Sequence, residues 1–265
     1  MLAGEEKHHL KRRFTSLLTK VGKRKTELQL KGIKGFIEVS FLDWDGKVSS
    51  VLFLPGCNFR CPFCQNWQLV YEPQSIEDVE WEMIMCYLKK QKDWVDGVVL
   101  TGGEPTIYPQ LIPLIEEIKK LGQKVKIDTN GYNPDVLQKL REYNLVDYVA
   151  MDIKAPLDKR YERASGVENL DLERIGKSIE FLLSLGNDYE FRTTLVPQII
   201  GEEEIEDIGK AIKGAGKWVL QGYQPEPVRD EFFRQLRPYR REEVEHLLSL
   251  ASKYAREVAY RGKWR

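Results

Sequence analysis

The chain has 265 residues, 42% of them hydrophobic, which is enough to bury the core of one barrel-sized domain. Its 41 basic and 41 acidic residues cancel, so the overall charge does not attract nucleic acid or anionic membranes. No apolar run could span a bilayer, the N-terminus lacks a secretory signal, and three of the four cysteines are clustered; we therefore expect a cytoplasmic protein.

Residues 1–32 are predicted to form a basic N-terminal extension. Between positions 7 and 34 there are ten basic residues and one acidic residue, Glu27. Leu10, Phe14 and Leu17 recur at helical spacing, which predicts an amphipathic helix with a basic face. Two interpretations remain open: a helix docked on the domain with a solvated charged face, or an arm that contacts an acidic partner or RNA.

From residue 33 onward, predicted strands alternate with predicted helices. The strand candidates are Val48–Leu54, Gly97–Thr101, Lys124–Asp128, Val146–Asp152, Tyr189–Val196 and Lys217–Gly222. The first helix is expected to run from Ser75, as its N-cap, to about Lys90. This alternation predicts an α/β fold, a partial (β/α)6 barrel over residues 33–240, with a C-terminal helix over residues 241–265 packed on its outside.

The cysteines follow the first of these strands with the spacing C-x3-C-x2-C. Cys57, Cys61 and Cys64 could ligate three irons of a cubane cluster and leave the fourth iron open to a non-protein ligand. A structural zinc site would need a fourth ligand, and none of the three histidines is close in sequence. Cys86 lies on the predicted apolar face of its helix and is expected to be a buried structural thiol.

Polar and glycine-rich clusters follow each of the later strands. In a parallel barrel the carboxyl ends of the strands point to one face, where such enzymes place their chemistry. We therefore expect one site at this face. Its residues come from the clusters Gly102-Gly103-Glu104, Asp128-Thr129, Asp152 with Lys154, Arg192 with Thr194, and Gln221–Pro225.

The cysteine loop, with an aromatic residue before its last cysteine and Gly-Gly-Glu-Pro after the next strand, resembles the radical S-adenosylmethionine (SAM) superfamily. Asp-Thr-Asn-Gly, Asp-x-Lys and Arg-Thr-Thr-Leu-Val-Pro resemble the activating proteins of glycyl radical enzymes, of the anaerobic ribonucleotide reductase and pyruvate formate-lyase types. The resemblance implies a [4Fe–4S] cluster on Cys57, Cys61 and Cys64, with SAM chelating the open iron. A low-potential donor such as ferredoxin or flavodoxin would supply the electron. The resulting 5′-deoxyadenosyl radical would abstract hydrogen, so no side chain carries the radical itself.

The resemblance also implies where SAM binds. Gly102, Gly103 and Glu104 would hold its methionyl amino group, and the absence of side chains on the glycines would let the backbone approach the ligand. Lys154 would meet its carboxylate. Phe63 would pack against adenine, with Asn66 nearby, or would simply anchor the loop.

The resemblance further implies a monovalent cation beside the SAM carboxylate. Asp128, Thr129 and Asp152 would bind it, because two carboxylates facing a third would otherwise repel. The alternative is that the two aspartates cap the turns that follow. Arg192, on the same strand face as Thr194, could reach SAM or could neutralise Asp152.

Three functional classes remain open. The first is an activating enzyme that makes a glycyl radical on a partner protein, with the segment from Tyr223 to Tyr239 as a lid or docking surface. The second is radical SAM modification of RNA or a small metabolite. The third is a non-catalytic metal-binding protein, which would leave the strand-end clusters unexplained. No cysteines remain for an auxiliary cluster.

Overall fold

The computed structural model describes residues 30–264, and its framework is one eight-stranded sheet. The strands lie side by side in sequence order, and β1 pairs with β2 antiparallel, whereas all later neighbours are parallel. β1 and β8 are the two edges, so the sheet is open. The strands are β1 Gly35–Ser40, β2 Ser49–Leu54, β3 Gly97–Gly102, β4 Lys124–Thr129, β5 Tyr148–Asp152, β6 Tyr189–Leu195, β7 Ala215–Gly222 and β8 Ala255–Arg261.

Nine helices connect these strands in the part of the chain that the structure describes. They are α1 Trp67–Tyr71, α2 Trp81–Lys90, α3 Leu111–Lys120, α4 Pro134–Glu142, α5 Lys159–Ser165, α6 Leu172–Leu183, α7 Glu202–Ala211, α8 Glu231–Gln235 and α9 Arg241–Ala251. In this same region no helix is long and apolar enough to cross a membrane. The basic helix predicted for the N-terminal extension lies outside the described residues.

The core lies between the sheet and its helices, and the strand period of two decides what faces it. In β4, Val125 and Ile127 are fully buried in the apolar core, whereas Lys126 and Asp128 alternate with them and face the interior of the barrel. Parallel strands covered by helices normally read as apolar runs. The charged residues in β4 therefore already indicate that the barrel interior is polar.

The predicted α/β fold with its open parallel sheet is confirmed, and each predicted strand is present to within about two residues at either end. The prediction that the first helix begins at Ser75 is wrong. Ser75 ends a short 3-10 turn, and α2 begins six residues later at Trp81. Asp78, three residues after Ser75, accepts a hydrogen bond from the backbone N–H of Gly32 at 2.9 Å and pairs with Lys34, so it does not cap a helix.

The C-terminal segment contains a strand that the sequence analysis did not predict. Leu247, Ala251, Tyr254 and Val258 recur at helical spacing, so the apolar pattern runs on past the true end of α9. The chain turns after Ala251, and β8 then pairs in parallel with β7. Trp264 follows β8, half exposed, with its ring 4.4 Å from that of Tyr260.

The expectation that Cys86 is a buried thiol is also wrong. α2 buries Trp81, Ile84 and Leu88, which lie at the spacing of one helix face. Cys86 lies on the opposite face and is exposed. The predicted apolar face included Met83, which is 48% exposed. The predicted face was therefore rotated about the helix axis relative to the face that is actually buried.

Candidate active site

A cavity of about 730 Å³ opens at the carboxyl ends of the parallel strands. Of the predicted segment Gln221–Pro225, all but Pro225 line it, and so does every residue predicted to bind the metal cluster, SAM or the cation. Those residues are Cys57, Cys61, Phe63, Cys64, Asn66, Gly102, Gly103, Glu104, Asp128, Thr129, Asp152, Lys154, Arg192 and Thr194. A cavity of this size, lined by apolar and a few charged groups, is typical of a small-molecule site.

The cysteine loop leaves β2 and is held in place by backbone hydrogen bonds. The N–H of Arg60 donates to the carbonyl of Ser165 at 2.7 Å, and the N–H of Cys64 donates to that of Cys61 at 3.1 Å. Burial raises the pKa of the Cys57 thiol to about 11 and that of Cys61 to about 12. The thiols are therefore protonated at neutral pH without a metal, and a soft cation would have to displace their protons.

The donor set fits an iron–sulfur cluster. The three thiols share one wall of the cavity, and all three are free. Asn58, between two of them in sequence, has a buried side-chain N–H group without a hydrogen-bond acceptor among the described residues. No three His, Cys, Asp or Glu side chains within residues 30–264 lie close enough to hold a single metal ion. The fit therefore depends on the soft ligands, their spacing and the shared cavity.

The two glycines of Gly-Gly-Glu are required by contacts between backbones. Gly102 has a φ of +116°, and a Cβ on Gly103 would lie 1.7 Å from the carbonyl oxygen of Gly56. The N–H of Gly103 donates to the Leu54 carbonyl, and the N–H of Glu104 donates to that of Gly56, both at 2.8 Å. The glycines therefore let the loop after β3 pair directly with the start of the cysteine loop.

Replacing Gly103 by alanine is expected to destabilise the protein by about 1–3 kcal/mol or more, because the new methyl group must displace backbone. Gly176→Ala is the matched control: it lies inside α6 with no atom within 4 Å of an added Cβ. That control should stabilise the protein by about 0.5–1 kcal/mol. Urea unfolding of both variants measures the difference, and equal stabilities would contradict this account of Gly103.

Glu104 joins three loops around the cavity. Its carboxylate is 1% exposed and accepts hydrogen bonds from the N–H and hydroxyl of Thr106, the Thr129 hydroxyl at 2.8 Å and the Asn130 N–H at 2.7 Å. Burial raises the pKa of Glu104, and these donors oppose that rise. Because Thr129 donates to Glu104, that hydroxyl is tied to the loop after β3.

Asp128 and Asp152 are bridged by a single buried guanidinium. Arg192 Nη1 lies 3.0 Å from Asp128 Oδ2, and its Nε lies 2.7 Å from Asp152 Oδ1. Lys154 Nζ lies 2.9 Å from the second oxygen of Asp152. Of the two roles left open for Arg192, the structure shows the neutralising one, and it extends to both carboxylates.

Sequence reasoning missed the charges deeper in the barrel. Lys126 is 1% exposed and lies 3.2 Å from Asp128 and 3.9 Å from Glu190, itself 2% exposed. Arg261 of β8 lies 3.3 Å from Glu190. The sequence did contain a signal for these charges. Lys126 in β4 and Glu190 in β6 alternate with apolar residues, and each stands two positions before a predicted site residue, so it lies on the same strand face. Of these residues, Asp128 and Arg261 line the cavity, whereas Lys126 and Glu190 are buried without lining it.

The cysteine loop contacts the segment from Tyr223 to Tyr239, and both line the cavity. The Phe63 and Phe233 ring centroids are 6.1 Å apart, and the Gln65 amide donates to the Gln224 carbonyl at 3.0 Å. Asn66 donates to the Gly102 carbonyl at 3.0 Å. The segment is therefore packed beside the cysteine loop, next to the site.

Comparison with known proteins shows the family. Residues 51–213, more than half of the chain, match the family model described as "Radical SAM superfamily". The chain belongs to the radical SAM superfamily. Membership implies a [4Fe–4S] cluster and SAM as cofactors, and the cysteine loop lies inside the matched region.

This radical SAM protein is similar in sequence to three relatives with different stated activities. A protein of Methanocaldococcus jannaschii named "Putative glycyl-radical enzyme activating enzyme" is 34% identical, covering 86% of this chain and 95% of the relative. The pyruvate formate-lyase-activating enzyme of Clostridium pasteurianum is 26% identical, covering 63% and 70%. A 7-carboxy-7-deazaguanine synthase of Neisseria meningitidis is 31% identical, covering 50% and 56%.

Solved structures agree on the radical SAM fold. The structure of TYW1 with a lysine-pyruvate adduct superimposes with a TM-score of 0.57 at 19% identity, covering 78% of this chain and 74% of that one. At this identity the likeness supports the fold alone.

Proposed function

We propose that this radical SAM enzyme activates a glycyl radical enzyme by abstracting a hydrogen atom from a glycine of that partner. The observation that carries the proposal is the 34% identity over nearly the whole length of the M. jannaschii relative, whose name states this activity. The match covers 86% of this chain. A low-potential protein such as ferredoxin or flavodoxin would supply the electron.

The roles of the cavity residues follow from their positions. Cys57, Cys61 and Cys64 would hold the cluster, which supplies the electron that cleaves SAM into methionine and a 5′-deoxyadenosyl radical. The carbonyl groups of Gly102 and Gly103, beside that wall, would accept from the SAM amino group. The apolar and tightly packed walls would exclude water from the radical.

The remaining predicted residues would bind the rest of SAM. Lys154, already charged through its contact with Asp152, would meet the carboxylate, and Thr194 lies on the same wall. Phe63 would pack against adenine, with Asn66 beside it. These assignments are proposals that SAM titrations of single variants can test.

The monovalent cation at Asp128, Thr129 and Asp152 stays a prediction. It was predicted because the two carboxylates would repel each other without a cation, but Arg192 contacts both of them and already supplies a positive charge. The test is SAM cleavage in buffers containing potassium, sodium or only a bulky organic cation. A rate that does not depend on the cation would remove this site from the proposal.

The decisive experiment for the function is isotope transfer. The anaerobically reconstituted enzyme is mixed with SAM, a strong reductant and a candidate partner whose glycines carry deuterium at the α-carbon. We expect deuterium to appear in 5′-deoxyadenosine. Cleavage of SAM without deuterium transfer from any glycine-labelled partner encoded in the same genome would contradict the proposal.

Modification of a small metabolite is the second candidate, favoured by the 31% identity to the 7-carboxy-7-deazaguanine synthase over half of the chain. The same assay discriminates, since deuterium would then come from a labelled small molecule and not from a protein. RNA as a substrate would require the basic N-terminal segment, and deletion of residues 7–31 should then remove RNA affinity.

A further inference from the structure

An arginine cluster covers the outer side of the cysteine loop. The guanidinium groups of Arg60 and Arg229 lie 5.5 Å and 4.5 Å from the ring centre of Tyr71. Arg234 donates from Nη2 to the Arg229 carbonyl at 3.1 Å. All four side chains belong to exposed residues. We call Arg60, Tyr71, Arg229 and Arg234 the arginine surface.

The charges of the arginine surface are not neutralised. Within residues 30–264, none of its three arginines lies within salt-bridge distance of a carboxylate. The nearby acids Asp230 and Glu231 keep their charge, but their hydrogen bonds are to the Phe233 N–H at 3.3 Å and to the Gln235 amide at 3.4 Å, not to these arginines. Exposed charges without a partner keep the field that steers an oppositely charged protein.

The position of Arg60 connects this surface to the cysteine loop. Arg60 lies between Cys57 and Cys61 in sequence, and its Nη1 donates to the carbonyl of Cys57 at 2.5 Å and of Phe59 at 2.7 Å. The thiol of Cys57 lines the cavity, while its carbonyl faces this guanidinium. The arginine surface is therefore separated from the metal ligands by the thickness of one loop.

We propose that the arginine surface docks an acidic, one-electron protein donor, and that the electron enters the enzyme through the cysteine loop at this face. This inference rests on the proposed function only in that the enzyme needs an external reductant. One electron leaves the reduced donor, which is oxidised, and reduces the centre held by the three cysteines. No proton or group is transferred.

The same basic and aromatic residues could suggest single-stranded RNA, but the geometry favours a protein. RNA-binding surfaces offer aromatic faces on which bases stack. The Tyr71 ring already contacts two guanidinium groups, and Arg229 also lies 6.0 Å from the ring centre of Trp67. The aromatic rings here hold the arginines in place.

The test uses the reconstituted enzyme and an acidic flavodoxin as the probe. The double variant R229E/R234E reverses two charges and leaves Arg60 unchanged, because Arg60 holds the loop. The control K90E/K92E makes the same change at two exposed lysines, the last residue of α2 and the second residue after it. Flavin fluorescence titration at low salt should show at least about tenfold weaker binding for R229E/R234E and no change for the control.

Two further readouts separate this inference from the proposed function. Added salt should weaken flavodoxin binding to the unmodified enzyme more than to R229E/R234E. SAM cleavage driven by dithionite should be equal in the two proteins, whereas cleavage driven by reduced flavodoxin should be slower in the variant. Absent or equal flavodoxin affinity, or a variant that instead loses affinity for an RNA oligonucleotide, would overturn the docking proposal. Loss of dithionite-driven cleavage in the unmodified enzyme would count against the proposed function alone.

Discussion

Cys61→Ser is expected to abolish reductive cleavage of SAM, leaving less than about one part in a thousand of the rate, because the cluster loses one of its three protein ligands. The one cysteine outside the loop, Cys86, is exposed and does not line the cavity, so it cannot replace Cys61. The measurements are the iron content of the reconstituted protein and the amount of 5′-deoxyadenosine formed under dithionite.

Cys86→Ser provides the matched control. Cys86 is exposed on α2, away from the cavity, and should keep full iron content and full activity. If Cys61→Ser retained iron and cleaved SAM, or if Cys86→Ser lost either property, the assignment of the cluster to the loop would be wrong.

Replacing Arg192 by methionine should lower the free energy of unfolding by roughly 3–5 kcal/mol, because it leaves two partly buried carboxylates without their shared partner. Arg192 is 7% exposed and contacts both Asp128 and Asp152. The control is Arg241→Met, which removes an exposed arginine paired with Glu245 and should leave stability unchanged. Denaturant unfolding monitored by circular dichroism measures both. Equal stability of the two variants would show that the carboxylates do not depend on Arg192.

The same pair of carboxylates predicts how stability varies with pH. Burial alone would raise the pKa of Asp128 and Asp152, but the charge of Arg192, helped by Lys126 and Lys154, outweighs it and lowers both values. Their contribution is therefore present above the unfolded pKa of about 4 and is lost as the pH falls below it.

We expect the unfolding free energy of the unmodified protein to fall between about pH 5 and pH 3, and that of Arg192→Met to fall less steeply. Glu104 acts in the opposite direction, because its pKa is raised, but it acts equally in both proteins. Parallel pH profiles would contradict the assignment.

The sequence was sufficient for the features that depend on local pattern. Strands β2 to β7 were predictable from their apolar runs, and the site was predictable because parallel strands bring their carboxyl ends to one face. The cysteine spacing identified the loop without reference to the rest of the fold. The residues predicted to bind the metal cluster and SAM lie together around a single cavity, and their binding roles stay predictions.

Features that depend on pairing between distant segments were not predictable. Arg192 lies opposite Asp152 because of the register between β5 and β6, and a single sequence does not specify that register. Lys126 and Glu190 are matched in the same way across the barrel. β8 was missed because its apolar residues continue the helical spacing of α9, and only pairing with β7 makes it a strand.

The free edges at β1 and β8 have a consequence for how the proposed glycyl radical partner would present its glycine. The cavity wall includes Arg261 to Lys263 at the end of β8, so it reaches that edge, whereas Leu42 and Asp43 line it from the loop that follows β1 at the amino end of β2. In a fully closed barrel, a partner's residue that lies far from either end of its chain could enter only as a hairpin, with both flanking segments passing through the opening at the carboxyl ends of the strands. Because β1 and β8 do not pair, that topological demand is relaxed at the open side of the sheet, where a bend in the middle of a folded chain could approach with both of its flanks remaining outside.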